Sequence, residues 1–418
     1  MSEHDGWAHL RDIEGTESDH LRGKTIVIAV SGSVAALESH RLSRSLIRHG
    51  ARIQFFLTAA AATLVSPMAL EWCTGSPVVT ELSGRCEHLE FFGEHGKADL
   101  LLLAPATANT IGKVALGLDD NAVTTAVTTA LGSKIPILCC PGMHQPMLEN
   151  PAVARNLRAL DEMGIELLAP KISEGKAKMM EVPEIVARVL RRLGGGDLRG
   201  KRVLLTGGPT REFLDPARCL TNPSSGASAC ALAEEAYRRG AEVHLVYGPG
   251  QATPAPWLPV SRVDSTEEMA DAVAEQLQGE PVDILVAVAA VADFRPLKTA
   301  VEKLPTRTDG VFSLELTATP KVIDRARKLS PSTRLVAFKA SSHREDDRMA
   351  EQAQRYLEAG RADLVVANSI VASGLGFESA RNRYLLCSKE RPPQVLGPDS
   401  KTRLAGLLWA AISEEFSR

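Results

Sequence analysis

Several short runs in this sequence carry groups able to hold a phosphate or to do chemistry on a small molecule. Ser31-Gly32-Ser33-Val34-Ala35-Ala36 follows an apolar run, and Ser224-Ser225-Gly226 stands before a helix-forming stretch. At a helix start the free backbone N–H groups and the helix dipole favour an anion, and serine hydroxyls add to that. The first turn is not G-x-G-x-x-G, so it suits a mononucleotide better than a dinucleotide. Ala104-Pro105-Ala106-Thr107-Ala108-Asn109-Thr110 is dense in small and hydroxyl side chains. Small groups admit a ligand into a crevice and hydroxyls bond it, although Thr107 could equally serve only as a helix cap. Ala289-Ala290-Val291-Ala292-Asp293 closes an apolar run with a carboxylate, placed for a metal-bound or hydrogen-bonded nucleotide. Arg218 stands close before the serine turn as a charge partner.

The elements that must position these groups repeat. Leu21-Arg22-Gly23-Lys24 leads into Thr25–Val30 and a Ser-Gly turn; Leu198-Arg199-Gly200-Lys201 leads into Arg202–Thr206 and a Gly-Gly turn. Each reads as a polar lead-in, a strand buried on both faces and a glycine turn, the usual start of a parallel α/β sheet. The glycine run at 194–196 separates the two starts as a linker. The expected domains are therefore 20–193 and 198–418. In the first, strands are expected at Thr25–Val30, Arg52–Leu57, Leu100–Leu103, Lys134–Cys139 and Glu166–Leu168, with helices such as Ser33–His49, Ala106–Val114 and Ala152–Met163: a doubly wound parallel sheet. The second is expected to run through strand Val203–Leu205, helix Ser228–Arg239, strand Glu242–Tyr247, helix Thr266–Gln278 and strand Ile284–Ala287. A long irregular passage, Asp293–Leu314, follows; loops of that length are usually functional.

Composition narrows the field. The 418 residues exceed the roughly 100–200 of one domain. With 51 acidic against 48 basic residues, net charge −3 and no basic cluster, nothing marks a nucleic-acid or anionic-membrane partner. No apolar stretch reaches the ~18 residues of a membrane span, and the polar start lacks a signal-peptide core, so a cytoplasmic protein is expected. Seven cysteines without C-x-x-C spacing offer neither a disulfide framework nor a zinc site. Cys139 and Cys140 end a buried strand and are expected to be structural.

The order and spacing of Ser31–Ala36, Pro105-Ala-Thr-Ala-Asn-Thr110 and Pro141-Gly-Met-His-Gln-Pro-Met147 resemble the flavin-dependent cysteine decarboxylases of the phosphopantothenoylcysteine decarboxylase type. The resemblance implies a flavodoxin-like fold with FMN at a subunit interface, commonly in trimers. It implies that Gly32, Ser33, Thr58, Thr107, Asn109 and Met143 hold the flavin and that His88 is the active-site histidine. A lone histidine at a strand start is otherwise more often structural. In such chemistry the flavin takes a hydride from the cysteine β-carbon, so that loss of CO₂ leaves a stabilised anion, and an imidazole handles protons near sulfur. Two departures stand out. His144 occupies the place where many members have Asn, and the clamp segment Glu174-Gly175-Lys176-Ala177-Lys178-Met179 lacks the bacterial cysteine. Both variants resemble the archaeal branch. The final proton donor stays open between His144, a clamp lysine and absence of the step.

The second half resembles phosphopantothenate–cysteine ligase, which typically follows the decarboxylase in one chain. The resemblance implies activation of 4′-phosphopantothenate by CTP with Mg²⁺ and then attack by cysteine. It places Arg218 and Asn222 on the acyl-cytidylate, Lys303 on a loop closing over it, and Ser224, Ser225, Gly226, Asp293, Pro320, Lys321, Val322, Ile323, Phe338 and Arg355 at the nucleotide, with dimeric contacts in this half. Ala227-Ser228-Ala229 replaces the usual Lys-Met-Gly, and Ala359-Gly360 stands where a further lysine is usual. The expected function is coenzyme A biosynthesis, ligation followed by decarboxylation to 4′-phosphopantetheine. The alternatives are a chain with one live half and a non-enzymatic flavodoxin-fold regulator.

Overall fold

The computed structural model describes residues 7–173, 176–305, 313–371 and 379–416. It has two compact units, Met1–Gly195 and Gly196–Arg418.

In the first unit β1 (Thr25–Val30), β2 (Arg52–Leu57), β3 (Leu100–Ala106), β4 (Ile137–Pro141) and β5 (Glu166–Leu167) form a parallel sheet in the order β2-β1-β3-β4-β5. This is the flavodoxin-like order, whose switch point lies between β1 and β3. The inner strands β1, after Thr25, β3 and β4 are continuously apolar because both faces are covered. Leu42, Leu46, Ile185 and Val189, from helices Ser39–Arg48 and Val182–Leu193, pack on one face. Ile111, Val123, Val127 and Leu160, from helices Ala108–Ala115, Ala122–Gly132 and Pro151–Glu162, pack on the other. An antiparallel hairpin, β6 (Lys171–Ser173) and β7 (Lys176–Lys178), precedes the last helix; Glu174 and Gly175 of the clamp segment lie outside the described residues.

Three expectations need correction here. The helix expected over Ser33–His49 breaks into a 3₁₀ turn, Val34–Glu38, and the α-helix Ser39–Arg48. β4 begins at Ile137 instead of Lys134, since Lys134 has φ 59° and Pro136 has no N–H to give a ladder. His88 lies in the helix Glu87–Phe92 and not at a strand start. Glu87 anchors that helix by accepting from the Ser83 N–H, and Phe91 and Phe92 pack against Phe56.

In the second unit β8 (Arg202–Gly207), β9 (Arg211–Asp215), β10 (Arg218–Thr221), β11 (Glu242–Tyr247), β12 (Val260–Arg262), β13 (Ile284–Ala287), β14 (Phe294–Pro296), β15 (Leu316–Ala318), β16 (Arg334–Ser341), β17 (Leu364–Ser369), β18 (Arg381–Cys387) and β19 (Gln394–Ser400) follow. Eight of them make one sheet, β12-β11-β8-β13-β16-β17-β18-β19. It is Rossmann-like and parallel as far as β17, with β18 and β19 added antiparallel. The passage expected to be irregular from Asp293 contains a strand: β14 pairs with β15, while residues 306–312 lie outside the described part. Asp293 does not end a strand. β13 stops at Ala287, and the backbone beyond is held by the neighbouring turn, Ala290 N–H donating to Gly208 O (2.9 Å) and Ala292 N–H to Thr210 Oγ1 (2.9 Å).

The sequence echo is also a structural one. Asp99, just before β3, accepts from Lys24 Nζ (2.8 Å) and the Thr25 N–H (2.8 Å). Asp283, just before β13, accepts from Lys201 Nζ (3.1 Å) and the Arg202 N–H (2.8 Å). In both units one carboxylate clamps the amino end of the first strand to the amino end of its inner neighbour.

Candidate functional site

The carboxyl ends of β1, β3 and β4 open into a cleft of about 650 Å³, within the range of a cofactor pocket. Gly32, Ser33, Thr107, Met143 and His144 line it, with Lys178 and Met179 arriving from the hairpin side. Ser31 organises the floor. Its buried hydroxyl donates to Pro105 O (2.8 Å) and accepts from the Thr107 N–H (2.8 Å), so the loop after β1 is fastened to the loop after β3. The Ser33 hydroxyl donates to Gly142 O (3.0 Å) and joins the loop after β4 to both. At Gly32 a side chain would not fit, because an added Cβ would stand 2.5 Å from Ala60 Cβ. Thr107 both lines the cleft and caps the helix Ala108–Ala115 by accepting from the Thr110 N–H.

The other residues expected at the flavin fall elsewhere in this chain. Thr58 caps the helix Ala59–Leu64, and Asn109 is exposed at the second position of its helix; neither lines the cleft. His88 is also outside the lining, half-buried, with Nδ1 buried and without a hydrogen-bond partner among the described residues. Cys139 and Cys140 are fully buried; desolvation pushes the Cys139 thiol up to about 12 and Cys140 well above the ordinary thiol range. No thiolate is available there for chemistry at neutral pH. Glu38 and Arg41 line the cleft without any sequence signal beyond their place on a helix that starts there.

The second unit has two adjoining cavities at the carboxyl ends of β8, β13 and β16, which share Ala289, Ala290, Phe338 and Ala340. The outer one, about 390 Å³, gathers Asn222, Asp293, Phe338 and the run from Pro320 to Ile323. Asn222 Nδ2 donates to Ala290 O (3.0 Å) and Val291 O (3.1 Å), which fixes its carboxamide against the loop after β13. Asp293 forms an ion pair with Lys321. The inner cavity, about 70 Å³, is walled by Ser224, Ser225 and Gly226 at the start of the helix Ala227–Arg238. Gly226 has φ 77°, and an added Cβ would stand 2.0 Å from Tyr247 Oη, so only glycine fits this cap.

Arg218 does not line the cavity at the serine turn. Its guanidinium reaches Asp215 Oδ2 (3.4 Å) and Leu304 O (3.3 Å), and Asp215 also accepts from the Leu304 N–H (3.1 Å). Burial opposes ionisation of Asp215, but N–H groups of Ala217, Leu304 and Arg218 and the Arg218 charge outweigh it and hold the carboxyl below its usual range. Arg218 thus anchors the stretch that carries Lys303, which is exposed and outside the lining. Arg355 lines a neighbouring depression of about 450 Å³ with Lys339, Tyr356 and Arg361, three residues not singled out from the sequence. Lys339, Tyr356 and Arg361 also line the outer cavity. Lys339 Nζ stands 5.8 Å from the Tyr356 ring centroid, within reach of a cation–π contact, and it comes from the half of β16 whose side chains are not continuously buried. Among the described residues no cluster of three or more His, Cys, Asp or Glu could hold a metal ion by itself. No helix among them is long and apolar enough to cross a membrane.

Both clefts are therefore concave, sit at strand carboxyl ends and present hydroxyls, amides and a few cations: they suit phosphorylated small molecules. Comparison with known proteins agrees half by half. A family model described as Flavoprotein matches residues 14–194, and one described as DNA/pantothenate metabolism flavoprotein C-terminal domain matches residues 198–416. Among solved structures, the chain is similar to an FMN-dependent cysteine decarboxylase, SpaF (28% identity, 40% of this chain and 94% of that one, TM-score 0.35). It is also similar to the C-terminal domain of a coenzyme A biosynthesis bifunctional protein CoaBC (30% identity, 53% of this chain and 99% of that one, TM-score 0.44). The coenzyme A biosynthesis bifunctional protein CoaBC of Thermococcus kodakarensis is 43% identical over 407 residues, covering 97% of this chain and 99% of the relative. With both halves matched in order and nearly the whole length covered, this chain belongs to the family of bifunctional coenzyme A biosynthesis proteins.

Proposed function

We propose that the second unit joins cysteine to 4′-phosphopantothenate at the expense of CTP, and that the first unit decarboxylates the product to 4′-phosphopantetheine with FMN. The observation that carries this is the tiling of one chain by both family domains, with a 43% identical relative along 97% of its length. In the first unit the tied loops after β1, β3 and β4 would hold the cofactor through Gly32, Ser33, Thr107 and Met143. The cleft's volume and its mix of hydroxyl and apolar walls fit a flavin. Bound there, FMN supplies the hydride acceptor and donor. His144, exposed at the cleft, would face the substrate carboxylate and hold or deliver a proton, with Lys178, which lines the same cleft, as the other candidate. His88 does not reach the cleft of its own chain. In this reading it serves the cleft of a neighbouring copy, in a homo-oligomer built on trimers of this unit with dimeric contacts through the other.

In the second unit Asn222 would hold the acyl-cytidylate and the Ser224–Gly226 turn would meet the nucleotide. Pro320, Lys321, Val322, Ile323 and Phe338 would receive the nucleotide, and Arg355 would add charge at its edge. Asp293 would exchange Lys321 for a nucleotide-borne Mg²⁺, a common arrangement of one carboxylate plus substrate phosphates. Arg218 would set the stretch that brings Lys303 over the developing phosphate charge.

A coupled assay tests this. The purified chain should be yellow and should convert 4′-phosphopantothenate, cysteine and CTP to 4′-phosphopantetheine, releasing pyrophosphate and CO₂. A colourless protein inert toward CTP would refute it, and pyrophosphate without CO₂ would confine the failure to the first unit. Lys303→Gln should lower ligation at least tenfold and leave decarboxylation of supplied 4′-phosphopantothenoylcysteine intact; loss of both activities would contradict the division of labour.

A further inference from the structure

The backbone that follows β13 has no regular structure, yet other segments hold its polar groups one after another. Beyond the bonds from Gly208 and Asn222 to Ala290 and Val291, three threonines close on Ala292. Its N–H donates to Thr210 Oγ1 (2.9 Å), which lies 3.0 Å from Thr266 Oγ1. Thr266 Oγ1 donates to Ala292 O (3.4 Å), and Thr319 Oγ1 donates to the same carbonyl (2.5 Å). A hydroxyl has one proton to give. Since Thr266 gives its proton to Ala292 O, Thr210 must give its own to Thr266, and the bonds run one way round a ring that begins and ends on Ala292. Thr210 belongs to the turn after β8, Thr266 opens the helix Thr266–Gln278 and Thr319 follows β15. Threonine hydroxyls ordinarily bond backbone close by in sequence, whereas these reach Ala292 across 26 to 82 residues. Thr210 and Thr266 are fully buried, and each is tied from behind. The Thr266 N–H donates to Glu212 Oε1 (2.9 Å), and Thr221 Oγ1 donates to Thr210 O (2.8 Å).

The next residue is Asp293. Thr319 N–H donates to Asp293 O (3.1 Å), so the backbone is held on both sides of its Cα while the carboxylate stays exposed, paired with Lys321. Holding both flanking peptides confines where the carboxylate oxygens can lie. We propose that Thr210 and Thr266 are positioning residues of the ligation reaction: their ring sets the backbone from which Asp293 meets the nucleotide, although neither threonine lines a cavity wall. The proposal rests on the reading of Asp293 as a nucleotide contact.

The test makes Thr210→Val, Thr266→Val, the double variant and the two serine replacements in the full chain. Valine keeps the shape and removes the hydroxyl; serine keeps the hydroxyl. Pyrophosphate release is followed while CTP, 4′-phosphopantothenate and cysteine are varied in turn. Each valine variant should raise KM for CTP about tenfold, leave KM for cysteine unchanged and be largely rescued by serine. Either change opens the same ring, so the double variant should exceed the worse single by no more than about twofold. Hydrogen exchange read by mass spectrometry should be faster across residues 289–294 in the valine variants. An unmoved KM for CTP, an equal rise for cysteine, effects that multiply in the double variant, or unchanged exchange would each overturn the proposal. If Thr210→Val does not fold, Thr266→Val makes the same test from the helix. Asp293→Asn separates the two readings. If it leaves KM for CTP unchanged, the nucleotide role of Asp293 fails; if it raises that KM and the valine variants do not, the ring alone is refuted.

Discussion

Gly226→Ala puts the architecture of the ligase cleft to a quantitative test. The residue sits at φ 77°, so alanine there meets the left-handed penalty of about 1–2 kcal/mol. Its new Cβ would also stand 2.0 Å from Tyr247 Oη and 2.6 Å from Tyr247 Cζ, an overlap relieved only by movement of a ring fixed by a hydrogen bond from Oη to Ala252 O (2.8 Å). Overpacking of this kind costs about 1–3 kcal/mol. The sum is a loss of about 2–5 kcal/mol, which for a domain of this size lowers the melting temperature by roughly 4–20 °C. Tyr247→Phe alone should cost about 1–3 kcal/mol through the unpaired Ala252 carbonyl. In the double variant the 2.0 Å overlap vanishes while the backbone penalty and the Cζ contact remain, so the combined loss should fall short of the sum by about 1 kcal/mol. Urea unfolding followed by tryptophan fluorescence reports this, since Trp257 and Trp409 belong to the second unit. Stability of Gly226→Ala within about 0.5 kcal/mol of wild type, or strict additivity in the double variant, would refute the reasoning.

Two further predictions concern the first unit and the thiols. Ser31→Ala removes the hydroxyl that joins the loops after β1 and β3. It should destabilise the unit by about 1–3 kcal/mol and cause FMN to be lost more readily on dialysis, as read from the flavin absorbance of the recovered protein. For a thiol whose folded pKa is raised, the thiolate form is suppressed at every pH below the new value. Near pH 8 a thiol-specific chromogenic reagent should therefore label Cys86 and Cys219, which are part-exposed, and leave buried Cys139 and Cys140 unlabelled until denaturant is added. Rapid labelling of either of the latter in the native chain would contradict their burial.

The sequence was most legible where one physical requirement dominates. β1, β2, β11, β13 and the helix Thr266–Gln278 have the expected bounds, because strands covered on both faces are mostly apolar and Ser265 caps that helix. The turns at Gly32 and Gly226 were legible for a similar reason: each follows or precedes a clear element, and nothing larger fits. Legibility failed where a side chain's partner comes from distant sequence. Arg218 is nearer to the serine turn along the chain than to Leu304, yet Asp215 and Leu304 hold it. Thr58, expected at the flavin from the resemblance, caps the helix Ala59–Leu64. Asn368 and Lys401 carry no motif at all; they meet at one cavity only because β17 lies beside β16 in the sheet and the last helix packs on the helix Ala227–Arg238.

The paired clamps at Asp99 and Asp283 have an evolutionary consequence. In each unit the carboxylate fastens the amino ends of two strands, while the main cleft opens at the carboxyl ends of those strands. Side chains at such a separation contribute to stability nearly independently of one another. Selection could thus harden or relax the lower rim of either sheet, to suit temperature or salt, without disturbing the loops above. The upper rim of either sheet could change its cleft without loosening the clamp below.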